Sequence, residues 1–391
     1  MIFNKTEKEW EELKGYWTAK EIRQQPETWS KTLVQVKNEQ KEIESFIKKV
    51  TDHDDYDIIL TGAGTSEFVG NAIYSYIGKI SGYKCKSYAT TDIVAAPENY
   101  LDKTRPTLII SYGRSGNSPE SMGTVHTVNA YCENAYHLLI TCNPEGAMAK
   151  YAEENTETCY AINLTPETHD QSFAMTSSFS NMYLANVLSF SFDEYEEISK
   201  NVQEVISKTD NFLSERYEEV IKIVEEYDFK KIVYLGSNTL KGVAQESALK
   251  MCELNKGQIV TVYDSPMGFR HGPKSVIDPT ALTVLFMSDN EYTRQYEYDL
   301  LKEMASQRDG NKILCVSSTS DDVCNEYADY NIVFNNEFKL DNVFLGLEYI
   351  TVAQLIGLYK SANRGITPDN PCPTGEVNRV VKGVTIYPYK K

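Results

Sequence analysis

The chain carries one pattern twice. β-rich runs at Ile58 to Thr61, Thr107 to Ser111 and Leu138 to Thr141 alternate with helical stretches, and runs at Lys231 to Gly236, Leu282 to Ser288 and Ile313 to Ser317 follow in the same order. Setting one series against the other places Gly62 opposite Gly236, Ser111 opposite Ser288 and Thr141 opposite Ser317, each offset by roughly 175 residues. Strand, helix, strand at this spacing is the pattern of a parallel doubly wound sheet. The expectation is an α/β protein of two tandem domains, each a doubly wound parallel sheet flanked by helices. Ligands of such sheets bind at the carboxyl ends of the strands, so the residues just past each run are where chemistry is sought.

Length agrees with two domains, because 391 residues exceed what one hydrophobic core usually serves. Residues 1–50 read as a helical N-terminal segment, with Ile43, Phe46, Ile47 and Val50 at i, i+3, i+4 and i+7. The first domain is expected over 51–205 and the second over 215–362. Between the repeats, Phe192 to about Tyr227 is rich in Glu, Lys and Ser with helical periodicity and reads as a connector. Residues 363–391, with four prolines and little helical pattern, read as an extended C-terminal tail lying over something.

The formal charge of −17 excludes a nucleic-acid or anionic-membrane surface over most of the protein. An anionic ligand must then be held locally, by helix N-termini and a few placed cations; a small phosphorylated metabolite fits that demand. The eight cysteines form no C-x-x-C pair and have no histidine cluster near them, so they read as reduced thiols, with no metal site. Met1 to Trp17 is charged and aromatic, unlike a secretory signal, and no apolar run approaches the ~20 residues of a membrane span. A cytoplasmic enzyme is expected.

Five motifs can carry chemistry. Gly62-Ala63-Gly64-Thr65-Ser66 follows a strand and opens a helix, offering close backbone approach and free N–H groups, with Gly64, Thr65 and Ser66 as ligand contacts. The third glycine of a dinucleotide fingerprint is Glu67 here, which argues against nicotinamide, and no cofactor is expected. Ser111-Tyr112-Gly113-Arg114-Ser115-Gly116-Asn117-Ser118-Pro119-Glu120-Ser121 follows the next strand; its hydroxyls, glycines and single arginine form a phosphate cradle, with Gly113, Arg114, Ser115, Asn117 and Ser118 as candidates. Thr176 and Ser177, in Phe173-Ala174-Met175-Thr176-Ser177-Ser178-Phe179-Ser180, either contact sugar or only cap a helix.

In the second repeat the glycine loop has decayed to Gly236-Ser237-Asn238, but the helix after it places Glu246, Lys250 and Glu253 on one stripe among Val243, Leu249 and Leu254. A solvated salt-bridge stripe is the alternative; an acid beside a lysine in a part-buried site is what proton transfer at a sugar carbon needs. His271, in Gly268-Phe269-Arg270-His271-Gly272-Pro273, is the one histidine of the second half and lies on a loop, where it is either structural or able to protonate a ring oxygen.

Taken together these residues resemble the sugar isomerase (SIS) domain proteins, in particular the isomerase half of glucosamine-6-phosphate synthase, from about Asp57 to Thr385. The resemblance implies that Ser66, Gly113, Arg114, Ser115 and Ser118 hold the sugar and its phosphate. It implies that Glu253 is the acid/base moving a proton between sugar carbons 1 and 2, with Lys250 and Glu246 beside it, and that His271 opens the ring in the site of a neighbouring subunit, hence a homodimer. Val381-Lys382-Gly383-Val384-Thr385 resembles the family's closing stretch, whose lysine meets the open-chain ketose. The chain departs from the synthase at Gly113, Arg114, Asn117 and Met175, and with only about fifty residues before the first repeat no amino-transferring half is expected. With Pro166-Glu167-Thr168 and Asp369-Asn370-Pro371-Cys372-Pro373-Thr374-Gly375-Glu376, the sequence most resembles galactosamine-6-phosphate deaminases, also labelled tagatose-6-phosphate ketose/aldose isomerases. That implies release of ammonia from an amino-sugar phosphate; an aldose/ketose isomerase that keeps its nitrogen and a non-catalytic sugar-phosphate sensor are the alternatives.

Overall fold

The structure is a computed structural model that describes residues 1–381 and 383–390. Among these residues ten strands form two all-parallel sheets. The first holds β1 (Asp57–Gly62), β2 (Cys85–Ala89), β3 (Thr107–Gly113), β4 (Ala135–Thr141) and β5 (Cys159–Asn163) in the order β2-β1-β3-β4-β5. The second holds β6 (Lys231–Gly236), β7 (Val260–Asp264), β8 (Ala281–Phe286), β9 (Lys312–Ser317) and β10 (Tyr330–Val333) in the order β10-β9-β8-β6-β7. Each sheet therefore has the 2-1-3-4-5 order of a doubly wound fold, whose switch point lies between its first and third strands. The expected architecture of two tandem SIS-type domains is what the chain adopts.

All six runs read from the sequence are interior strands. Their residues are buried on both faces, every position in β1, β3 and β8, so they appear as mostly apolar runs without alternation. The four strands that the sequence did not announce, β2, β5, β7 and β10, are the sheet edges. Their burial is patchy, with none of the five residues of β7 fully buried, and the sequence there is correspondingly polar.

Two compact units organise the chain. One comprises Glu27–Asp170, Met175–Ser199 and Gly375–Lys391 and contains the first sheet. The helix Gln40–Thr51 buries Ile43, Phe46, Ile47 and Val50 within it. Its C-terminal strap is fixed by apolar contacts to the helix Pro119–Tyr131: a side chain at Gly123 would meet Ile386 Cγ2 at 3.0 Å, and the rings of Tyr131 and Tyr389 lie 5.8 Å apart.

The other unit comprises Met1–Pro26, Gln171–Ala174 and Lys200–Thr374 and contains the second sheet. At its centre runs the helix Asn342–Asn363, 22 residues long. By length and composition this helix could cross a membrane, which the sequence reading did not foresee because Glu348, Gln354 and Lys360 interrupt it; its apolar window is wholly buried inside the protein. Tyr359 packs its ring 5.9 Å from Trp10 and donates its hydroxyl to the Phe3 carbonyl at 2.6 Å. Asp369 accepts hydrogen bonds from Trp17 N (3.1 Å) and Thr18 N (2.8 Å), capping the helix Tyr16–Arg23, whose own N-cap Gly15 has no side chain to do so. The connector is helical, as expected, over Tyr195–Asn211 and Glu218–Glu226 with a π-helical turn between. All eight cysteines are unpaired.

Candidate active site

The first sheet's switch point is built from two strand-to-helix turns. After β1 the chain must pass directly into the helix Thr65–Ile80, so tightly that a Cβ on Gly62 would lie 2.3 Å from the Ser66 carbonyl carbon. Gly64, the N-cap, has φ 57° and ψ −127°, a conformation that only glycine takes without cost. After β3, a Cβ on Gly113 would meet Met148 Sδ at 2.8 Å, and Gly116 turns the loop at φ 62°. Ser118 caps the helix Pro119–Tyr131, accepting from Ser121 N at 3.3 Å with Pro119 at N1.

These turns enclose a cavity of about 120 Å³. Ser66, Gly113, Arg114, Ser115 and Ser118 line it, which brings together five of the ten binding candidates. Arg114 is 7% exposed, and its Nη2 donates to the Arg379 carbonyl at 2.7 Å. The other five do not line the cavity. Gly64 and Thr65 shape the turn. Asn117 Oδ1 accepts from Ala147 N at 2.9 Å and so ties the loop to the next helix. Thr176 and Ser177 are fully buried around Asp170, whose carboxylate accepts from Thr176 N (2.8 Å), Ser177 N (3.2 Å) and Ser178 N (2.8 Å) and so caps the helix Ser177–Leu188. Burial pushes the Asp170 carboxyl upward against the pull of the Ser178 and Thr176 donors.

The cavity also has walls that the sequence reading left out. Glu120 and Ser121 come from the first turn of the helix Pro119–Tyr131, Tyr112 from the end of β3, and Met175 from the turn before the helix Ser177–Leu188. Glu120 and Ser121 stand inside the quoted motif and were legible there. Arg379 and Val380 were not, being some 265 residues from Arg114 in sequence.

The acid/base candidates lie on the helix Thr239–Leu254 of the other unit, the helix that follows β6 as Thr65–Ile80 follows β1. Glu246 and Lys250 are fully buried, while the Glu253 side chain is 23% exposed. Lys250 Nζ lies 3.3 Å from Glu246 Oε1 and hydrogen-bonds Glu253 Oε2. Burial opposes the Lys250 ammonium, yet Glu246 and Glu253 outweigh it and hold its pKa above the usual lysine value. A permanent cation thus sits beside a carboxylate that reaches the surface. His271 stands exposed on the turn after the short helix Pro266–Phe269. The turn is rigidly braced, by Phe269 in the core and by an Arg270–Glu303 ion pair at 2.9 Å. Lys382 lies outside the described residues.

A cradle of hydroxyls and a guanidinium at a switch point, in a chain with two sheets of this order, defines a phosphosugar-binding protein of the sugar isomerase class. The SIS domain model matches residues 53–191. The chain is 42% identical to the D-galactosamine-6-phosphate deaminase AgaS of Shewanella sp. (strain ANA-3), over 96% of this chain and 93% of that one. Among solved structures it superposes on a Clostridium novyi NT protein provisionally named a tagatose-6-phosphate ketose/aldose isomerase, with TM-score 0.96, 43% identity and coverage of 100% and 99%. The tagatose-6-phosphate ketose/aldose isomerase of Escherichia coli follows with TM-score 0.87, 36% identity and coverage of 96% and 98%. The chain belongs to this SIS family of galactosamine-6-phosphate deaminases.

Proposed function

We propose that the protein is an enzyme that converts galactosamine 6-phosphate into tagatose 6-phosphate and ammonia. The observation that carries the reading is the cavity at the first switch point: Arg114, Ser66, Ser115 and Ser118 offer a cation and three hydroxyls to a phosphate, in a protein of net charge −17 that has no general attraction for anions. In the reaction, His271 opens the pyranose. Glu253 removes the proton from C2 and returns one to C1, which turns the open-chain aldehyde into an enolamine and then a C2 imine. Water adds to the imine carbon and ammonia leaves, giving the ketose. Lys250 stabilises the developing negative charge and orients Glu253, with Glu246 holding Lys250 from its buried side. On this reading 51–205 binds the phosphosugar and 215–362 supplies proton transfer, in a cytoplasmic homodimer in which His271 is donated across the interface and Lys382 serves in the closing tail.

The test is ammonia release from purified protein given galactosamine 6-phosphate, glucosamine 6-phosphate or unphosphorylated galactosamine. Release from the galacto phosphate alone is expected. Ketose formation without ammonia would make the enzyme a plain isomerase, and a thermal shift with no product would make it a sensor.

A further inference from the structure

We infer that Arg379, on the C-terminal strap, is the second phosphate-binding guanidinium of the cavity, so that the cradle is complete only when the strap is docked. The inference rests on the reading of this cavity as a phosphate site.

Formal charge is the first argument. Among the described residues, three charged side chains line the cavity: Arg114, Glu120 and Arg379. Glu120 is 9% exposed, and its Oε2 is buried without a hydrogen-bond partner among the described residues. Arg114 alone therefore faces a carboxylate, and the pair sums to zero, which is a poor host for a phosphate dianion in an acidic protein. With Arg379 the described lining sums to net positive, and two planar guanidiniums can each present paired N–H groups to phosphate oxygens.

Placement is the second argument. The Arg379 side chain is held over the cavity by its Nη2, which donates to the Asp170 carbonyl, while its own carbonyl accepts from Arg114 Nη2 at 2.7 Å. Its Nε is buried and has no partner among the described residues. A guanidinium N–H withdrawn from water without an acceptor is costly, and an anion in the cavity would supply one. Asp170 also caps the helix Ser177–Leu188, so the anchor for Arg379 is itself fixed by that cap. The strap's remaining anchors, Ile386 on Gly123 and Tyr389 on Tyr131, lie along the helix that begins at the cradle, away from the cavity wall.

Calorimetric titration of the full chain with inorganic phosphate and with galactosamine 6-phosphate tests this. Arg379→Met should weaken both by about 10- to 100-fold, as expected for losing a charge-assisted contact, and Arg379→Lys should lose less because the charge remains. Gly123→Val, whose added side chain runs into Ile386 and is not itself part of the cavity lining, should weaken phosphate binding comparably. Melting curves without phosphate would confirm that each variant is folded. Arg379→Met binding phosphate within twofold of wild type, while Arg114→Met loses it, would overturn the role of Arg379. Unchanged affinity in Gly123→Val would overturn the dependence on strap docking. Wild-type protein that binds neither ligand would overturn the cavity's assignment and, with it, the role given to Arg379.

Discussion

The two sheets share one strand order and differ at its switch point. At the first switch point, between β1 and β3, the turns enclose a cavity. At the second, between β6 and β8, the protein's own carboxylate fills the position: Glu297 accepts from Ser237 Oγ at 2.7 Å and from the backbone N–H of Ser288 at 2.9 Å, the groups that would otherwise meet an anion. Around it, Ser288 Oγ donates to Asn342 at 2.7 Å and Arg294 bridges Asp289 and Asp321 at 3.2 Å each. The backbone has barely diverged. Asn238 holds φ 55° and ψ −123°, within a few degrees of Gly64, and a Cβ on Gly236 would lie 2.4 Å from the Leu240 carbonyl oxygen much as one on Gly62 would strike Ser66. The two turns share a shape, but the second is occupied by Glu297, and the helix beside it carries the Glu246, Lys250 and Glu253 row. On the proposed mechanism, binding falls to one of two similarly built sheets and proton transfer to the other.

The largest effect should come from separating those tasks. Glu253→Gln is expected to lower kcat by about 10²- to 10⁴-fold with galactosamine 6-phosphate affinity nearly unchanged, whereas Arg114→Met should act chiefly on KM, by about 10- to 100-fold. Steady-state kinetics with a binding titration reads both, and an Arg114 variant that lost kcat alone would break the division. Next in size, Lys250→Met leaves Glu246 buried without its cation, and urea unfolding should show a loss of about 3–5 kcal/mol. The corresponding helix after β1 carries no such buried row, so a small loss would mean that the row is not the constraint it looks to be.

The closed switch point makes a pH prediction. Burial, opposed by the Ser237 and Ser288 donors, raises the Glu297 carboxyl from 4.5 to about 7. A raised folded-state value favours folding fully below the unfolded value and loses that contribution as pH rises through the folded one. Between pH 4.5 and pH 7 wild type should therefore lose stability relative to Glu297→Gln, by on the order of 3 kcal/mol at about 1.4 kcal/mol per pH unit. Unfolding both proteins at pH 5 and pH 8 checks it, and parallel curves would show that Glu297 is charged in place. The smallest effect is at Asn238. Replacing it with glycine should stabilise the fold by less than about 1 kcal/mol, by relieving a conformation that side chains resist; a loss instead would mean that the asparagine is now needed at that turn.

Repetition, hydrophobic runs and motif spacing determined by themselves that this chain forms two parallel doubly wound sheets, where their interior strands run, and that a loop of hydroxyls, glycines and one arginine follows β3. These are local matters: a strand buried on both faces is mostly apolar, and a turn that admits no Cβ must be glycine. The edge strands escaped because one side of each has no neighbouring strand, so nothing forces an unbroken apolar run. Tertiary structure alone decided which of the marked hydroxyls line the cavity. Thr176 and Ser177 look the same in sequence as Ser115 and Ser118, but they surround Asp170, and only folding brings that carboxylate beneath their helix. It also placed Arg379 beside Arg114 and Glu297 beneath Ser288, because a buried polar group must find its partner wherever the chain's packing leaves one, and sequence distance sets no limit on that.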